Sequence, residues 1–223
     1  MISRLPKLAC CSLLVAILAG CAVPPPARYN YAKFRAESPK SVLVVPAVNK
    51  SVEVDAPDYL LSSISIPLVE RGYYVFPVHL VKQVMSDDGM SDADMVHNND
   101  PVRLATVFGA DSVMYISINR WDAQYAVFST VVTVELAYTL KSGKSGETLW
   151  AHKEKLAYSP DNNSGGHPLA MLIAAAITAA IAKAAPDYMP LARQANNGAI
   201  YKLGTGLPAG PYDESFNKDL AAY

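Results

Sequence analysis

Cysteine stops early in this chain. Its three cysteines are Cys10, Cys11 and Cys21, so every residue after position 21 belongs to a thiol-free body. That excludes disulfides, thiolate metal sites and a cysteine nucleophile from the body, even in an oxidising compartment where disulfides persist. Histidine is nearly as scarce. His79, His97, His152 and His167 are the only four, no two are spaced i, i+4, and no His-Glu-x-x-His is present, which removes the helical zinc-protease pattern. His97 has Asp94 and Asp100 nearby, but acidic residues at helix starts account for that grouping without a metal. No Gly-x-Ser-x-Gly occurs, and no placement of Ser, His and Asp singles out a nucleophile with its base. Gly143-Lys144-Ser145 has the ending of a phosphate-binding loop, yet Tyr138 stands where the first glycine belongs, and the segment lies between strands, not before a helix. The net charge of −1 gives no basic patch for nucleic acid. Beyond the first 20 residues no run of about 20 apolar residues is long enough to span a bilayer. These absences leave catalysis, cofactors, metals and nucleic acid without positive support, and the expectation is a protein that is not an enzyme.

What the chain has is an N-terminal address. Arg4 and Lys7 precede an apolar run from Leu8 to Leu18, and Leu18-Ala19-Gly20-Cys21 follows. The charged start, short apolar stretch and small residues before a cysteine read as a lipoprotein signal peptide over residues 1–20. Lipid, with palmitate among its acyl chains, is then expected on the thiol and amine of Cys21, making the membrane a partner through that lipid. An ordinary secretory signal and an uncleaved anchor are the alternatives. Losing Arg4 and Lys7 takes the net charge from −1 to −3. Ala22 stands where an Asp would retain an enteric lipoprotein in the inner membrane, so outer-membrane sorting is expected, with the body periplasmic or surface-exposed. Pro24-Pro25-Pro26 and Pro39 favour extended backbone, and residues 21–40 read as the lipidated cysteine and a tether.

Ser41-Val-Leu-Val-Val-Pro46 is apolar and β-branched, as a central strand buried on both faces should be. Asp55-Ala56-Pro57 opens a helix with Leu60, Leu61, Ile64, Leu68 and Val69 on its apolar face, kinked or split by Pro67 and ended by Gly72. Tyr73 to Phe76 is the next strand. Leu80, Val81, Val84 and Met85 mark another helix, and Asp100-Pro101 caps a third that ends at Gly109. From Asp111 the period becomes two: a strand to Trp121, a strand with Val132, Val134, Leu136, Tyr138 and Leu140 on one face, a hairpin loop over 142–146, and a returning strand from Glu147 to Tyr158. The fold class is therefore α/β (α+β): one domain over residues 41–195 with a mixed sheet flanked by helices. Residues 196–223 carry repeated Gly, Pro and Asn and read as an irregular tail partly wrapped on the body.

One segment has no strand or turn role. After the loop Asn162-Asn163-Ser164-Gly165-Gly166, a helix runs to about Ala185, and Leu169 to Ala182 carry no charge. Leu169, Ile173, Ile177 and Ile181 form an i+4 stripe joined by Leu172, while Ala176 and Ala180 sit among small apolar positions beside it. A surface helix normally has a polar opposite face. This one is read either as packed on both sides within the fold, or as an interface for an oligomer or partner, or as shallowly inserted in a membrane. The loop at its start is the candidate for small-ligand or anion binding.

Ser41-Val-Leu-Val-Val-Pro-Ala-Val-Asn-Lys-Ser51, Ile66-Pro-Leu-Val-Glu-Arg-Gly-Tyr-Tyr-Val-Phe-Pro-Val78, Phe108-Gly-Ala-Asp-Ser-Val-Met-Tyr-Ile116, Gly146-Glu-Thr-Leu-Trp150 and Asn162-Asn-Ser-Gly-Gly166 together resemble a family of outer-membrane lipoproteins of unknown function, best known from a meningococcal surface-antigen candidate. The resemblance covers nearly all of residues 18–185, and the tail with Gly210-Pro211 matches loosely. It implies an α/β domain similar to the N-terminal domain of TolB and to the periplasmic domain of the curli secretion lipoprotein CsgG. It also implies a docking or assembly role with other envelope lipoproteins. A CsgG-like lipoprotein is the expected partner, or a second copy of the chain, and the family supplies no catalytic residues. The other reading kept is a periplasmic protein that binds a small ligand or peptidoglycan fragment.

Overall fold

The structure, a computed structural model, describes residues 29–126, 129–158, 175, 177–179 and 187–223. The signal segment, Cys21 and the first part of the expected tether lie outside the described residues.

Strand β1 (Ser41–Val44) explains its own sequence. Its pleat sends Val42 and Val44 into one hydrophobic core and Leu43, with Val45 just after it, into a second core on the other side. Val42 to Val45 are all apolar because both faces are covered there. Pairing with β4 (Ser112–Ala126) lapses around Pro46, which has no N–H to donate, and resumes at β2 (Val48–Asn49). On its other side β1 pairs in parallel with β3 (Tyr74–Val75). Strand β4 continues antiparallel into β5 (Ser129–Ser142) and β6 (Thr148–Tyr158). The sheet order is β3-β1-β4-β5-β6, with β2 pairing β4.

Helices α1 (Ala32–Glu37), α2 (Ala56–Glu70) and α6 (Met189–Tyr201) cover one face of this sheet, contributing Phe34, Leu60, Ile64, Leu191 and Ala195 to the larger core. Helices α3 (Val78–Asp87), α4 (Ala93–His97) and α5 (Pro101–Phe108) cover the other face, but only over the parallel strands, through Val81, Met85, Val96 and Leu104. Strands β5 and β6 therefore keep one wet face. Val132, Val134, Leu136, Tyr138 and Leu140 are buried, whereas Glu135, Ala137 and Thr139 between them are partly exposed. This is the single mixed α/β domain expected. Helix α5 starts as its sequence dictates: the Asp100 carboxylate accepts from the Val102 N–H at 3.0 Å, Pro101 follows, and Gly109 closes the helix at φ +69°.

Four expectations need correction. Residues 29–40 are not tether. Tyr31 and Phe34 are buried in the larger core, and the Tyr31 hydroxyl donates to the Gly206 carbonyl at 2.6 Å. The prolines upstream masked an aromatic anchor. Pro67 does not split α2. It sits in the last turn, where its missing N–H deprives only the Ser63 carbonyl of a helical partner, while its ring is buried in the fold. Residues 196–201 are not tail but the second half of α6, with Asn196 wholly buried. The irregular chain begins at Lys202 and lies on the body, ending with Tyr223 buried. Finally, Leu80 and Val84 are exposed, and only Val81 and Met85 of the α3 pattern face the core.

The sheet has two distinct ends. The hairpin end holds Ser41, Ser112, Ser142 and Thr148, together with α1 and the irregular chain after Lys202. The arm end is where β4 and β5 outrun β6: β6 finishes at Tyr158 opposite Val132, while β4 and β5 stay paired out to Ala126 and Ser129. Helix α2 starts near the arm end, after β2, and finishes near the hairpin end, before β3.

Candidate functional site

Of the candidate helix and its loop, residues 175 and 177–179 are described. Asn162, Asn163, Ser164, Gly165, Gly166, Leu169, Leu172, Ile173, Ala176, Ala180 and Ile181 lie outside the described residues, as does Cys21. Ile177 is described, and it is 1% exposed within the larger core. Ala175 and Ala179, two residues to either side and so on the opposite face of a helix, are exposed. Thr178 is half-buried, and its hydroxyl is hydrogen-bonded to the Tyr158 hydroxyl at the end of β6. The stripe thus points inward here, and the alanines point out, at the arm end of the body.

The same end holds an aromatic group. Tyr59 stacks on Trp121 with ring centroids 6.3 Å apart, and Tyr188 meets both edge-on at 6.2 and 6.1 Å. Beside it Arg120 and Asp122 form a two-pronged ion pair at 2.9 and 2.8 Å. The loop after β2 leaves Val52 84% exposed, with Val54 similarly open. These two are the most exposed of the large apolar side chains among the described residues.

Of the described histidines, His97 and His152 take structural positions. His97 donates from Nε2 to the Pro46 carbonyl at 3.0 Å and sets its ring edge-on to Tyr115, 5.1 Å between centroids. It thereby satisfies a carbonyl freed where β1 gives way to β2. Burial holds its pKa below the usual histidine value, against the pull of that carbonyl and of Asp94. Asp100, its other acidic neighbour in sequence, is engaged as the α5 cap. His152 lies flat on Trp150, 5.8 Å away, with Nε2 2.9 Å from Glu154, and Lys202 approaches the same carboxylate at 3.6 Å. His79 lines a groove with Pro46, Lys82, Gln83, Ser86 and Met90, about 320 Å³ in volume. Among the described residues no group of three or more His, Cys, Asp or Glu is placed to hold a metal ion. Gly143 to Gly146 form the hairpin turn, with Gly146 at φ +74°; a Cβ on Gly143 would lie 2.6 Å from the Ala110 carbonyl.

Sequence reasoning missed the polar centre of the fold. Asn196 is 0% exposed. Its amide donates to Ser63 Oγ at 2.8 Å and to the Leu60 carbonyl at 3.2 Å, and its Oδ1 accepts from the Tyr138 hydroxyl at 2.7 Å. Ser63 in turn donates to the Tyr59 carbonyl at 2.7 Å. The network ties α2, α6 and β5 with its partners satisfied, and burial pushes the Tyr138 hydroxyl well above the usual phenol range. Closed to water, it has no reacting partner and acts as a structural lock. Asn196-Asn197-Gly198 looks like a turn in sequence; the signal available was Leu191, Ala192, Ala195 and Ala199, spaced as one helix face.

Comparison with known proteins covers this same body. A family model described as "Putative lipoprotein GNA1162-like" matches residues 29–212. The lipoprotein NMB1124/NMB1162 of Neisseria meningitidis serogroup B is 30% identical over 189 residues, 85% of this chain and 86% of that protein. The crystal structure of lipoprotein GNA1162 from Neisseria meningitidis is 33% identical, with a TM-score of 0.55 over 65% of this chain and 99% of that one.

Proposed function

The chain belongs to the GNA1162-like lipoprotein family, and from that premise we propose that it is a non-enzymatic docking module, anchored to the outer membrane by lipid on Cys21 and joined there to another envelope lipoprotein. The observation that carries the reading is the split character of the alanine-rich helix. Ile177 is spent on the core, while Ala175 and Ala179 face outward. Small side chains let a second backbone approach closely, and a face without charge loses little on being dried. Val52 and Val54, toward the same end of the body, are exposed as well. A CsgG-like lipoprotein or a second copy of this chain fits such a face. Photo-crosslinking residues placed at Ala175, Ala179 and Val52 should capture one envelope protein in cells. A strictly monomeric body that forms no crosslink from any of the three sinks the reading.

A small-ligand role is favoured by one other feature. The groove beside Pro46 lies beyond the carboxyl end of β1, where the chain goes to β3 on one side and returns to β4 on the other. Open α/β sheets bind ligands at such switch points. Peptidoglycan fragments that leave the melting temperature unchanged, in the protein and in Lys82→Glu alike, remove this reading.

A further inference from the structure

The correction at residues 29–40 changes how far the body can stand from its anchor. Tyr29 is already part of the fold: its N–H donates to the Gly204 carbonyl at 2.9 Å, and its ring lies 5.1 Å from that of the buried Tyr31. Eight peptide steps separate Cys21 from Tyr29. They reach at most about 29 Å fully extended, and about 25 Å in the polyproline geometry that Pro24-Pro25-Pro26 favours. A body of this length is about 40 Å across. The end that carries Tyr29 is therefore always held within that reach of the headgroups, whereas the far end, about 40 Å away from it, meets them only if the body lies over.

Tyr29 leaves from the hairpin half of the body, and that half is not polar. Leu203, next to the Gly204 that holds Tyr29, is 75% exposed. Tyr212, bonded through its N–H to the Gly72 carbonyl, is 70% exposed, and Leu220, which lines a small cleft with Phe34 and Arg35, is 51% exposed. Charge at this end is largely matched: Lys33 pairs with Glu147, Arg71 with Asp219, and Lys202 with Glu154. Leucine and tyrosine side chains around a charge-matched surface suit the boundary between headgroups and acyl chains, where tyrosine places its ring in lipid and its hydroxyl in water.

Resting on the lipid-anchor reading above, we infer that the hairpin end of the body lies on the phospholipid surface, with Leu203, Tyr212 and Leu220 set into the headgroup layer. The arm end, with Ala175, Ala179 and Val52, then points away from the membrane toward its partner. Attraction to the lipid is apolar and not electrostatic.

The full lipidated chain lends itself to the test, because its body has no cysteine of its own. Single Lys202→Cys, Lys218→Cys and Val52→Cys variants carry a fluorophore and are reconstituted into phosphatidylethanolamine vesicles, with and without phosphatidylglycerol. Collisional quenching by an aqueous ion should fall about threefold on reconstitution at positions 202 and 218 and stay unchanged at 52. High salt and the absence of phosphatidylglycerol should leave the result as it is. Adding Leu203→Ser, Tyr212→Ser and Leu220→Ser should abolish the protection while the protein still floats with the vesicles. Protein that floats but is quenched equally at all three positions, or is protected at 52, overturns the inference and leaves the anchor standing. Protein that does not float overturns the anchor, and the inference with it.

Discussion

Asn196 is the residue whose loss the fold would feel most widely. Replacing it by Ala leaves the Tyr138 hydroxyl, the Ser63 hydroxyl and the Leu60 carbonyl without a shared partner in a dry core. Each buried group left unmade costs about 1–3 kcal/mol. Asn196→Ala should therefore lower the urea midpoint by more than Tyr138→Phe, which removes one donor and its partner's need only in part. An equal effect of the two variants would mean that the bonds from Asn196 to Ser63 and Leu60 add nothing. His97 gives a test by pH. Its folded pKa is depressed by burial, so below the ordinary histidine value, near 6.5, the unfolded chain takes up a proton that the folded one resists. Stability is then complete above about pH 6.5 and falls as the pH drops toward the folded pKa. His97→Gln keeps a donor for the Pro46 carbonyl and has no proton to gain, so its stability curve should be flatter between pH 7 and the lower value. An equal fall of the denaturant midpoint in both proteins between pH 7 and about pH 5 would rule this out. Nearby, the Tyr115 hydroxyl is pushed up to about 12 by burial and stays neutral throughout.

Elements were legible where one physical demand set the pattern. Strand β1 was read as doubly buried because its apolar residues run on without alternation from Val42 to Val45, and β5 as half-wet because its apolar residues alternate. The α5 cap followed from Asp-Pro chemistry alone. The failures share a cause as well. Residues 29–40 and 196–201 carry Pro, Asn and Gly signals in or beside them, and long-range packing overrides those signals. Tyr31 is held by Gly206, 175 residues away, and Asn196 by partners 58 to 136 residues away. Local sequence does not report such partners. Of the candidate site, Ile177 was assigned to the right stripe, but no pattern in the sequence tells which way that stripe turns. Phe34→Ala separates the two views of α1: a core aromatic costs about 3–5 kcal/mol on truncation, a tether aromatic nothing. Gly210→Ala probes the chain that lies across the end of α2. The new Cβ would sit 2.4 Å from the Gly72 carbonyl, a backbone atom that cannot step aside, and the overlap should cost about 1–3 kcal/mol. Amide exchange in residues 208–223 should quicken with it, and exchange confined to other segments would contradict the contact.

At the scale of the whole molecule, both tryptophans report on one core. Trp121 stands toward the arm end and Trp150 near the hairpin end, yet both are buried in the same cluster, and the Trp150 Nε1 donates to the Thr205 carbonyl at 2.9 Å. Unfolding followed by tryptophan fluorescence and by far-ultraviolet circular dichroism should coincide in a single transition; separated midpoints would show that the two ends fold apart. No described helix is long and apolar enough to cross a membrane.

The contact between Tyr29 and Gly204 also fixes an order in time. Tyr31 waits for Gly206, Arg35 for the Tyr223 carbonyl 188 residues on, and Gly204 for Ala222. Contacts of such separation form late, since the long loop must close before they return anything. As a chain emerges from its N-terminus, the sheet can pair and give Lys33 and Glu37 their hairpin partners while Tyr29, Tyr31 and Arg35 still have nothing to hold. The first segment of the body to appear is the last to settle, and a chain interrupted before Gly204 leaves it permanently unclosed.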